Sequence, residues 1–148
     1  MEIQKVKLQM IKDKSTTYAL EQITTPTDIV KLINAYEKYD LTPTEKIVVI
    51  AMNNKNQVNT YTEVAMGIAG YTNFNMSELF KTVLLSNSSK FIVVHNHPSG
   101  DATPSREDFE TTEKIGKASK IMGLQFLDHI VIGDNSYTSI MSINKGVK

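Results

Sequence analysis

Cysteine is absent from the 148-residue sequence, which excludes a disulfide framework, a thiolate nucleophile and any Cys-based zinc or iron–sulfur site. Arginine is almost absent too. Only Arg106 among the 16 basic residues carries a guanidinium, so the side chain that grips phosphates and guanine edges bidentately is nearly missing. Neither sign of charge is in excess, 16 Lys and Arg against 16 Asp and Glu, and no global field steers the molecule toward nucleic acid or anionic lipid. DNA association is therefore expected to be weak and salt-sensitive, through the small cluster Lys5, Lys7, Lys12 and Lys14. Apolar runs such as residues 47–52 fall far below the ~20 residues of a membrane span, and residues 1–20 lack the apolar segment of a signal peptide. The expectation is a chain that stays off membranes and works in the cytoplasm.

Proline and glycine are sparse, at 4 and 7, and 41% of residues are hydrophobic against 22% charged. This is the composition of a globular chain that buries a real core. Its length predicts one domain over residues 1–148, without internal repeats or linkers.

Residues 5–10 alternate like a half-buried strand, residues 12–15 turn it, and residues 16–20 can pair back. Thr25, Pro26 and Asp28 open a helix with Ile29, Leu32, Ile33 and Tyr36 on its apolar face, ending near Asp40. Residues 46–52 form a β-branched run, and residues 58–64 follow a turn cluster as its hairpin partner. Asn75 caps a second helix. Residues 91–94 read as a fully buried strand, because four consecutive apolar residues leave no solvent face. A third helix spans about 106–122, acidic early and basic late as the macrodipole favours, and stops at Gly123. Residues 124–132 and 137–140 make a final strand pair, with a loose tail from Asn144. Hairpins mixed with helices favour an α+β class over a doubly wound sheet.

The chemistry concentrates in residues 95–108, HNHPSGDATPSRED. If His95 and His97 continue the strand, their i, i+2 spacing puts both imidazoles on one face, close enough to share an ion. Pro98, Gly100 and Pro104 can fold the following loop back, so that the Asp108 carboxylate meets them. Two imidazoles and one carboxylate leave a fourth tetrahedral position open, the pattern of a catalytic zinc. Its water needs a base, and Glu63, at the end of a hairpin expected beside residues 91–94, is the candidate. Ser105, at a helix start, can offer its hydroxyl and neighbouring N–H groups to an oxyanion.

These residues resemble a known pattern. His-x-His, seven residues, Ser, two residues and Asp, with an upstream Glu, is similar to the JAMM motif of the MPN/JAB zinc metalloproteases. The strings HNHPSGDATPS and LDHIVIGDNSY resemble the RadC-like branch over roughly residues 25–140. The resemblance implies a cytidine-deaminase-like mixed sheet flanked by helices. It implies Zn2+ on His95, His97 and Asp108, Glu63 as general base and Ser105 as oxyanion support. A peptide or protein is the expected substrate, cleaved by a peptidase or isopeptidase. The longer members carry an amino-terminal helix-hairpin-helix region without a counterpart in these residues, which lowers the expectation of DNA contact.

Two alternatives stand beside the hydrolase: a DNA-repair-associated factor or nuclease of the RadC type, and a non-catalytic domain that binds partners. Ser105 and Asp108 are also an ordinary capping box, compatible with a ligand role because the cap aims the carboxylate. His129 reads as a structural histidine and stays outside the expected site. Gly67-Ile68-Ala69-Gly70 looks like the GxxG of RNA-binding KH modules but lacks their flanking helices, so a plain turn or substrate-bordering loop is expected.

Overall fold

The computed structural model describes residues 22–36, 38–39, 42–66 and 75–145. The expected strands within residues 5–20, the lysine cluster and the glycine-containing turn at 67–70 lie outside the described residues. The element order is α1 (Pro26–Tyr36), β1 (Lys46–Met52), β2 (Val58–Met66), α2 (Met76–Leu85), β3 (Lys90–Asn96), α3 (Arg106–Ile121), β4 (Gln125–Gly133), β5 (Ser136–Ser139) and α4 (Ile140–Lys145). Among the described residues no helix is long and apolar enough to cross a membrane.

The strands form one mixed sheet in the order β2-β1-β3-β4-β5. Every neighbouring pair is antiparallel except β3 and β4, whose parallel pairing requires the α3 crossover between them. Helices cover both faces, which is why β1 and β3 are buried from their second residue on and read as apolar runs. On one face α1 sets Ile29, Leu32 and Ile33 against Val48, Ile50, Val94, Ile130 and Ile132. On the other, Leu79, Phe80 and Val83 of α2 and Ile115 of α3 pack on Ile47, Val49, Phe91 and Val93. The molecule is the α+β, helix-flanked mixed sheet that the sequence predicts.

The differences are local. Helix α1 ends at Tyr36 rather than near Asp40, and Tyr39 is buried in the α1-side core, with its carbonyl accepting from the Thr42 N–H at 3.2 Å. Strand β3 runs on through His95 and Asn96, because both find burial and ladder partners there. Ile140 starts a short helix instead of ending a strand. The cause is tertiary: the buried Asp128 carboxylate accepts from the Ser139 hydroxyl at 2.6 Å and the Met141 N–H at 3.2 Å, which turns the chain into α4.

Candidate metal centre

The centre lies where β3 ends, at the carboxyl edge of the parallel strand pair, a position where α/β sheets commonly bind ligands. His95 follows Phe91 and Val93 on the α2/α3 face, and His97 continues that face one step past the strand. The His97 N–H still bonds the Ile132 carbonyl at 2.8 Å, which keeps the residue in register with β4. The loop then folds back. Gly100 takes a positive φ of 82°, its N–H bonds the His97 carbonyl at 2.9 Å, and its own carbonyl accepts from the Asp134 N–H at 2.8 Å. Ser105 caps α3 in a reciprocal capping box with Asp108. Its N–H and hydroxyl both donate to Asp108 Oδ2, at 2.7 and 2.8 Å, so the cap aims the carboxylate.

Three donor atoms converge as a result. His95 Nε2 lies 3.0 Å from His97 Nε2 and 3.1 Å from Asp108 Oδ1, and His97 Nε2 lies 3.4 Å from Asp108 Oδ2. Tetrahedral zinc with arms of about 2.0–2.1 Å sets its ligand atoms about 3.3–3.4 Å apart, so the spacing suits that ion. The chemistry suits it too. His97 Nδ1 faces the Asp101 carbonyl at 2.8 Å, and a carbonyl only accepts, so Nδ1 carries a hydrogen and, in the neutral ring, Nε2 keeps its lone pair. Among the described residues this is the one His, Asp and Glu cluster able to hold a metal ion.

The charges are mutually supporting. Burial opposes ionisation of Asp108, but hydrogen bonds from His95 and His97, the charge of His95 and the Ser105 N–H hold its carboxyl far below the usual carboxylate range. The hydrogen bond with Asp108 raises His97 above the usual imidazole value against the opposing effect of burial; the Asp101 carbonyl and the charges of Asp108 and Glu45 add to it.

Behind His95 sits His129, only 2% exposed. Burial, reinforced by the charge of His95, pushes its imidazole down to about 3, so it stays neutral. Its Nε2 meets His95 Nδ1 at 2.9 Å and its Nδ1 meets the Thr112 hydroxyl at 2.6 Å. The sequence alone predicts a structural histidine outside the site. The structure puts it in direct contact with a candidate ligand.

His95, His97, Asp108 and Ser105 are brought together as expected, but Glu63 is not. Glu63 pairs with Val48, and Val48 pairs with Val94. Cross-strand partners share a face and neighbours along a strand alternate, so Glu63 lies on the α1 face while His95 lies on the other. Its carboxylate is ion-paired with Lys46 Nζ at 2.9 Å. The expectation that Glu63 stands beside the triad is corrected on this geometry.

A different carboxylate is near. Ile47 and His95 are the end pair of the β1–β3 ladder, and Glu45 precedes that pair by two residues as His97 follows it by two, so both stand at the same end of the sheet. The Glu45 charge acts on the His97 imidazole. The sequence signal was an acidic residue two positions before Ile47 on the same alternation, usable only once the β1–β3 register is known.

Comparison with known proteins gives the family. The family model of the RadC-like JAB domain matches residues 23–146. A UPF0758 protein of Staphylococcus epidermidis is 40% identical over 129 residues, 87% of this chain and 56% of the relative. UPF0758 proteins of Methanosarcina mazei and Clostridium botulinum are 39% and 41% identical over 119 residues, in each case 80% of this chain and 51% of theirs. The chain thus spans about half the length of the curated relatives it matches. With its mixed sheet and its His, His, Asp cluster, the chain belongs to the RadC-like JAB domain family.

Proposed function

We propose that the chain is a zinc-dependent hydrolase that attacks the carbonyl of a peptide or isopeptide bond, with the ion on His95, His97 and Asp108. The observation that carries this reading is the convergence of two imidazole Nε2 atoms and a carboxylate within 3.0–3.4 Å, spacing and donor types that fit zinc. Zinc held there would supply Lewis acidity, polarising a carbonyl and bringing the pKa of a water toward about 7.

The chain's own residues supply the rest. Glu45, whose charge acts on His97 from the same end of the sheet, is the carboxylate that takes the proton of the attacking water and returns it to the leaving nitrogen. This role is assigned to Glu45 in preference to Glu63, whose carboxylate is held by Lys46 on the other face. Asp101 orients His97 through its carbonyl. Ser105 orients Asp108, and because its hydroxyl hydrogen is directed at Asp108 Oδ2, it reaches an oxyanion only by releasing that bond. Aiming the ligand is its first role and oxyanion support its second.

Metal analysis of the purified chain tests the reading. About one zinc per chain is expected, with sharply lower content in His95→Ala, His97→Ala and Asp108→Ala. Unchanged stoichiometry in all three variants overturns it.

A further inference from the structure

We propose that His129 and Thr112 form a positioning relay that fixes the tautomer of His95 and so keeps its Nε2 lone pair turned to the metal. The inference rests on the zinc reading of the site and adds to it two residues that touch no ion.

Three hydrogen bonds, linking Asp108 to Thr112, Thr112 to His129 and His129 to His95, fix where the protons lie. The Thr112 hydroxyl donates to the Asp108 backbone carbonyl at 2.7 Å, and a carbonyl accepts only, so the single hydroxyl hydrogen is committed. Thr112 Oγ1 can then only accept from His129 Nδ1, 2.6 Å away, which places the ring hydrogen of neutral His129 on Nδ1. His129 Nε2 is left as an acceptor, and His95 Nδ1 at 2.9 Å must donate to it. The hydrogen of a neutral His95 therefore sits on Nδ1, and Nε2, facing Asp108 Oδ1 at 3.1 Å, keeps its lone pair.

The opposite polarity would run from Thr112 to His129 to His95 and put a hydrogen on His95 Nε2, directed at Asp108 and competing with a metal. The carbonyl of Asp108 forbids it by holding the hydroxyl hydrogen. The relay thus begins at the backbone of one candidate ligand and ends at the ring of another. His95, His129 and Thr112 are all buried, so water has little access to replace a link. A histidine that only fills core volume has no reason to prefer Nδ1–H, the tautomer that free imidazole side chains disfavour in water.

Two measurements test the relay. In long-range proton–nitrogen NMR spectra of the zinc-loaded chain, His129 should show a protonated Nδ1 and a bare Nε2. In chelator competition, Thr112→Val, which keeps the shape and removes the hydroxyl, should bind zinc about 10–100-fold more weakly, as loss of a ligand-orienting partner commonly does. Thr112→Ser should restore affinity to within about threefold, since the hydroxyl alone is required by the argument, and thermal melting of the zinc-free variants separates this effect from loss of fold. A His129 hydrogen found on Nε2 overturns the relay whether or not Thr112→Val folds. So does a folded Thr112→Val that binds zinc as tightly as the parent. A parent chain that takes up no zinc overturns the zinc reading and the relay together.

Discussion

The Asn96 side chain holds the backbone of Lys46: its Oδ1 accepts the Lys46 N–H at 2.8 Å, while its Nδ2 donates to the carbonyls of Thr42 and Thr44 at 3.2 and 3.1 Å. Asn96 is 1% exposed and lies between the two candidate histidine ligands. One side chain therefore ties the strand that carries the candidate ligands to the segment that carries Glu45. Asn96→Ala leaves an N–H and two carbonyls short of a partner, at an expected cost of about 1–3 kcal/mol. Zinc uptake should survive, because no ligand is touched, while hydrolysis slows as Glu45 loses its fixed position. Urea melts, zinc titration and single-turnover cleavage of a peptide and isopeptide library check the three statements. Zinc loss as severe as in His95→Ala would show that Asn96 serves the ligands instead.

The two carboxylates Glu45 and Glu63 should separate cleanly. Glu45→Gln keeps the size and removes the base, so zinc content should hold while the hydrolytic step falls by about 10²-fold or more. Glu63→Gln breaks a partly exposed ion pair with Lys46 and should cost under about 1 kcal/mol, with cleavage near the parent rate. Metal content and single-turnover rates on both variants decide between them. A fast Glu45→Gln with a slow Glu63→Gln would reverse the assignment.

Most of this fold was legible because its signals are local. The β-branched run at β1 declared a strand and the continuous apolar run at β3 a buried one, Asn75 and Ser105 declared helix starts, and the i, i+2 histidines with a capped aspartate declared the candidate ligands. The remainder depends on pairing. Glu45 precedes its strand, and only the register of Ile47 with His95 puts it at the His97 end of the sheet. Glu63 looked well placed at a hairpin end, yet its pairing with Val48 turns it to the opposite face. His129 looked structural because its role needs both the parallel β3–β4 pairing and Thr112 on the crossover helix. Ile140 misled for the same reason, its helix being set by the Asp128 carboxylate rather than by its own neighbours.

Among the described glycines, Gly133 leaves the least room for a methyl group. A Cβ there would stand 2.3 Å from the Gly100 carbonyl oxygen and 2.7 Å from the Ala102 nitrogen, both backbone atoms that cannot swing aside. The loop must move, and it carries the Asp101 carbonyl that orients His97. Gly133→Ala is expected to cost about 1–3 kcal/mol, the usual range for overpacking, and to weaken zinc binding severalfold as well. Thermal melting and chelator competition read the two effects. A variant that melts early but binds zinc like the parent would mean that the loop absorbs the shift before it reaches His97.

Acid should loosen the start of α1 through Asp28. Asp28 Oδ2 accepts the N–H groups of Thr24 and Thr25 at 2.9 and 2.8 Å and the Thr24 hydroxyl at 3.0 Å, and the Asp28 N–H returns a bond to the Thr25 hydroxyl at 3.3 Å. The backbone bonds from Thr24 and Thr25 are the main reason that its pKa falls from 3.8 to about 2. A folded-state pKa below the unfolded one means that the unfolded chain binds the proton more readily. The stabilisation is thus complete above about pH 4 and is lost as pH falls toward 2. Asp28→Asn keeps an acceptor but has no charge to lose, so the difference in urea midpoint between parent and variant should shrink steadily over that window. Water screens the exposed carboxylate, which limits the difference at neutral pH to under about 1 kcal/mol. Using the difference between the two chains cancels the carboxylates they share, Asp108 included. A gap that stays constant from pH 5 to pH 2.5 would mean that the charge on Asp28 does not stabilise the helix start.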